Sequence, residues 1–133
     1  VGADWPGPIE KERNVREAIA VMVFFGKDRI DSGSVFVPNL PYFIAFFLGE
    51  KENPNIPYFG NYWQKGGRFF CKSCNGTTGD FLTEANLIKL FKEQFKIEPP
   101  PITGIAIETD VSNTSEKEGI HSKAYLRKIE LLP

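Results

Sequence analysis

Two apolar runs constrain this chain more than any other feature. "AIAVMVFF" spans Ala18 to Phe25 and "PYFIAFFLG" spans Pro41 to Gly49. Both are continuous, rich in β-branched and aromatic residues, and stopped by glycine. At this length, well short of a typical helix, such runs predict buried strands. Neither approaches the roughly 20 residues a bilayer-spanning helix needs. Pro38 and Pro41 stand before or at the start of the second run, where a missing N–H costs little.

The rest of the chain is punctuated accordingly. Residues 1–17 are polar, carry Pro6 and Pro8, and read as an irregular lead-in. "KDRIDSGS" is a loop turning at Ser32-Gly33, and "NGTTGD" (Asn75 to Asp80) is a turn. "RFFCKSC" (Arg68 to Cys74) is a third predicted strand, and "ITGIAIET" (Ile102 to Thr109) a fourth. "KAYLRKIELL" (Lys123 to Leu132) alternates in period two and is expected to be an edge strand, its lysines deterring further pairing.

Between the third and fourth strands the period changes. Leu87, Leu90, Phe91, Gln94 and Phe95 fall on helical spacing. An amphipathic helix is predicted over 83–96, capped by Thr83, with Glu84 and Lys92/Lys96 complementing its dipole, and lying across an edge or end of the sheet. "EPPP" forbids its continuation. The expected fold is mainly β, a jelly-roll-like β-sandwich with one helix, in a single domain over 1–133, complete or part of a larger sandwich.

Composition narrows the partners. A formal net charge of -1 gives no electrostatic reason to expect nucleic acid or an anionic membrane. With 12 Phe, the core is expected to be aromatic. Two cysteines do not make a disulfide framework. Cys71 and Cys74 have CxxC spacing, yet His121 is the one histidine, too few ligands for zinc. Residues i and i+3 of a strand point to opposite faces, so both cysteines are expected to be small packing residues. His121 reads as an exposed loop residue.

Two clusters are candidate ligand sites. Tyr62 and Trp63 lie in a Gly/Pro-bounded loop with Tyr58 and Phe59. They either stack on a sugar ring or plug the end of the core. Asp110, Ser112 and Asn113 are oxygen donors on one short loop. They either coordinate Ca²⁺ or fold back on their own backbone as Asx- and ST-turns. No phosphate loop, nucleophile elbow or defensible carboxylate pair is present.

The ordered pattern "AIAVMVFFG", "LPYFIAFFLGEKE", "RFFCKSCNGTTGDFLTEANLIKLFKEQF", "PPPITGIAIETDVSNT", "AYLRKIEL" resembles a bacterial family, a domain of unknown function with galactose-binding-like or jelly-roll β-sandwich members. The resemblance runs from about Ala3 to Leu131. It is most specific in "GIAIETDVSNT", where Thr109, Asp110, Asn113 and Thr114 match the family pattern and Ser112 replaces its second Asp. Arg127 and Lys128 replace a Gly-Asp pair, and Cys71 and Cys74 take Val and Gly positions.

The resemblance implies strands preceding this segment, so that the chain is the later part of the domain, and a periplasmic or secreted location. By fold-level analogy it implies a non-enzymatic, carbohydrate-binding or cell-envelope accessory role. Tyr62 and Trp63 would then be stacking surfaces, and Asp110 and Asn113 polar anchors. A jelly-roll lyase or hydrolase acting on polysaccharide, and a purely structural domain, are the alternatives.

Overall fold

The structure, a computed structural model, describes residues 19–49, 52–60, 62–74, 79–109 and 123–133. It is mainly β with one helix, as expected. Strands β1 (Ala20–Ile30), β2 (Leu40–Leu48), β3 (Gly67–Ser73) and β4 (Ile102–Glu108), with helix α1 (Leu87–Phe95) between β3 and β4, form one four-stranded mixed sheet in the order β3-β2-β1-β4. A second sheet to complete a sandwich is not among the described residues. The lead-in over 1–17, the 75–78 part of the predicted turn and His121 lie outside them.

The two apolar runs occupy the middle of the sheet, as β1 and β2, paired antiparallel with Val23 opposite Ile44. Strand alternation divides their side chains between two faces. Ala20, Met22, Phe43, Ala45 and Phe47 join Phe69 and Cys71 on one face, packed with Tyr58 and Trp63. Val23, Phe25, Ile44 and Phe70 line the other, packed against Phe91 of α1. A strand covered on both sides has no polar face to offer, so its sequence is continuously apolar.

The connections account for both covers. β1 and β2 join through the 31–39 loop. β3 runs parallel to β2, which requires a crossover. Residues 49–66 make it, and Tyr58 and Trp63 on that crossover pack against the first face. α1 occupies the opposite face, and β4 then pairs antiparallel with β1.

Several sequence expectations are corrected. Gly26 does not end β1; with φ of 72° it sits where the register shifts, and the strand continues to Ile30. A residue without Cβ adopts this conformation with little strain, so the strand bends instead of stopping.

The helix is shorter than 83–96. Asn86, not Thr83, is its N-cap, Oδ1 accepting from Lys89 N at 2.9 Å. Thr83 instead pairs its hydroxyl with Ser73 Oγ at 3.0 Å. The helix packs on the sheet's face, not its edge or end, because Phe91 meets Phe25 and Tyr42 there with ring centroids 4.8 and 5.5 Å away. Its C-cap, Lys96, is left-handed and donates its N–H to Lys92 O.

The 123–132 segment is not a strand. Residues 123–133 are exposed throughout, with Tyr125 at 80% and Leu132 at 74%. Alternation tells which side chains share a face; it does not supply the neighbouring backbone that a ladder requires. Ile105 and Ile107 of β4 are also open, at 40% and 55%.

Candidate functional site at the loop end of the sheet

Trp63 and Tyr62 are adjacent in sequence and differ in environment. Trp63 has φ of 58° and donates its backbone N–H to Ser32 O at 3.0 Å. Its indole Nε1 donates to Pro38 O at 2.8 Å, and its carbonyl accepts from Gly66 N and Gly67 N. The ring stands edge-on to Phe43, centroids 6.3 Å apart. A side chain held on all these sides closes the core. Tyr62 is 42% exposed, its ring 6.0 Å from that of Trp63. Of the two predicted stacking residues, Tyr62 presents the more accessible face.

Tyr58 and Phe59 lie deeper. Tyr58 exchanges backbone hydrogen bonds with Phe69, and its hydroxyl accepts from Asn53 N at 2.6 Å. The Arg68 guanidinium sits over the Phe59 ring at 4.4 Å and the Phe95 ring at 4.9 Å, tying the crossover to α1. Its Nη1 donates to Gln64 O and Gly67 O, and Nε to Gln94 Oε1. Burial lowers the Arg68 pKa from its ordinary value.

The β1–β2 loop that Trp63 grips, expected from sequence as a loop turning at Ser32-Gly33, is ordered by its own side chains. Ser32 is buried, its Oγ 2.7 Å from Val37 O and 2.9 Å from Ser34 O, while its N–H donates to Asn39 Oδ1. Gly33 N donates to Asp31 Oδ1, and Phe36 N to Ser34 Oγ. These Asx- and ST-type bonds hold the backbone without a ladder. The tip carries Val35 and Phe36, 93% and 92% exposed.

An open depression of about 640 Å³, lined by Asp31, Gly33, Ser34, Val35, Val37 and Asn39, lies beside it. Lys65 Nζ reaches Asp31 Oδ2 at 3.7 Å and bridges the two loops. "DSGSVFVPN" carried the signal for this site: polar turn residues enclosing an apolar pair.

Asp110, Ser112 and Asn113 lie outside the described residues, which end on this side at exposed Thr109. Among the described residues, no group of three or more His, Cys, Asp or Glu side chains is arranged to hold a metal ion. No helix among them is long and apolar enough to cross a membrane.

Cys71 and Cys74 form a disulfide, with Cα atoms 5.6 Å apart. Sequence reasoning separated them by strand alternation, but β3 ends at Ser73. Cys74 lies just past the pleat and turns back toward the Cys71 carbonyl. The CxxC spacing was itself the signal.

No family model, characterised protein or solved structure matches the chain.

Proposed function

We propose that this chain is a non-catalytic binding domain that takes a glycan at the end of the sheet where loops 31–39 and 62–66 meet. One face of a pyranose ring is lined by C–H groups and stacks on an aromatic ring, while its hydroxyls need donors and acceptors close by. Phe36 and Tyr62 offer exposed rings, and Asp31, Ser34 and Asn39 line the adjoining depression. The observation that carries the reading is Phe36, 92% exposed on a loop whose backbone is bonded in place. Holding an apolar side chain in water on an ordered loop lowers the entropy lost when a ligand covers it.

Kinship with the β-sandwich family of unknown function, an exported location and a supplementary anchor from Asp110 and Asn113 belong to the same proposal. They rest on the "GIAIETDVSNT" resemblance.

Affinity electrophoresis through gels containing soluble polysaccharides tests it. At least one glycan is expected to retard the chain, with Phe36→Ala and Tyr62→Ala each reducing retardation while leaving the melting temperature nearly unchanged. A chain that no glycan retards, or one whose retardation survives both substitutions, refutes the assignment. Trp63→Ala is unsuitable as a probe, since it opens the core.

A further inference from the structure

We propose that Cys71–Cys74 is a redox-active disulfide that exchanges with a dithiol partner, with Glu52 exchanging the proton of the buried sulfur. The inference is independent of glycan binding.

The bond joins residues only three apart in sequence. Closing so short a loop removes little conformational freedom from the unfolded chain, so a structural disulfide has least to contribute here. Its two sulfurs are also unequally placed. Cys71 is fully buried in the core, whereas Cys74 is half-buried beyond the end of β3.

Beside Cys71 lies a buried carboxyl group: Glu52 is 4% exposed. A methyl group placed on Gly49 would overlap Glu52 Oε2 and lie 2.8 Å from Cys71 Sγ, so carboxyl and sulfur flank the same point. Gly49 is therefore the residue that lets them approach. Cysteines in CxxC spacing react according to how their thiolates are stabilised and reached. A neighbouring carboxyl group supplies a route for the proton.

The exchange balances as follows. A thiolate of the external dithiol attacks Cys74 Sγ. The Cys71–Cys74 bond breaks, and its electron pair leaves on Cys71 Sγ, which takes up a proton passed from solvent by way of the Glu52 carboxyl group. The donor's second thiol, losing its proton to solvent, then attacks its own sulfur in the mixed disulfide and releases Cys74, which is protonated from solvent. The protein disulfide gains two electrons, and the dithiol becomes a disulfide. On the crossover and β3 near this corner, the Tyr58 hydroxyl accepts from Asn53 N and Lys72 Nζ donates to Pro54 O.

The test equilibrates the full chain with reduced and oxidised dithiothreitol in varying ratio, followed by thiol alkylation and mass measurement. One reversible two-electron step is expected, without loss of far-ultraviolet dichroism. Two free thiols in air-oxidised protein, or a bond that opens only in denaturant, overturns the proposal.

The order of attack is read from single substitutions. The remaining thiol of Cys71→Ser should react with an aromatic disulfide at least tenfold faster than that of Cys74→Ser, and equal rates overturn that order. Glu52→Gln should slow reduction by about a hundredfold, the lower end of what a positioned proton donor contributes. Glu52→Asp, which keeps a carboxyl group, should restore at least part of that rate. Should Glu52→Gln not fold, the wild-type rate in heavy water decides: a solvent isotope effect beyond that of the dithiol alone supports proton transfer through Glu52, and its absence overturns the role.

Discussion

Replacing Phe91 by alanine isolates the contact that attaches α1 to the sheet. Phe91 is the buried residue of the helix, at 0% exposure. Its ring lies 4.8 Å from Phe25, 5.5 Å from Tyr42 and 4.8 Å from Phe95. Truncating a fully buried Phe costs about 3–5 kcal/mol, the transfer of the ring plus the cavity left behind. The upper half of that range applies here because three aromatic neighbours lose a partner, each such pair being worth roughly 0.5–1.5 kcal/mol.

A second consequence follows from length. A helix over Leu87–Phe95 is too short to persist in water without its docking face, so detachment and melting coincide. Urea unfolding followed by dichroism is the assay. At a slope of about 2 kcal/mol per molar, a loss of ~4 kcal/mol moves the midpoint down by about 2 M. Ile88→Ala on the exposed side of the same helix, 60% accessible, serves as the control and should stay within roughly 0.5 kcal/mol of wild type. A Phe91→Ala loss below about 1 kcal/mol, or equal losses for both variants, refutes the packing argument.

Two further substitutions probe the frame around the site. Gly67→Ala places a methyl group 2.6 Å from Phe43 Cε1 in the core and should lower stability by about 1–3 kcal/mol, seen as an earlier thermal midpoint; no change would mean the ring has room to move. Lys96→Gly relieves a left-handed C-cap at φ of 59° and should raise stability by up to about 1 kcal/mol in the same assay, whereas a loss would show that the lysine side chain contributes more than its backbone strain costs.

The strands and helix were legible because their signals are local. Continuous apolar runs ending at glycine located β1 and β2, and the change to helical spacing at Leu87, Leu90 and Phe91 located α1. The cap was misplaced because Thr83 and Asn86 are both competent caps, and a contact from Ser73 on a distant strand engages Thr83. The loop end of the sheet was half legible. Tyr62 and Trp63 stood out as aromatics, but their unequal exposure depends on Ser32, Pro38 and Phe43, which reach Trp63 from other elements.

Composition and periodicity by themselves determined that this chain builds strands, buries aromatic rings and inserts one amphipathic helix, because side-chain spacing along a backbone selects secondary structure before any long-range contact forms. Only the tertiary structure decided that Cys74 returns to Cys71, that Glu52 lies beside them, that the helix covers a face, and that 123–132 stays out of the sheet. Each of these depends on where a strand stops or what lies across a gap, distances that a linear pattern does not encode.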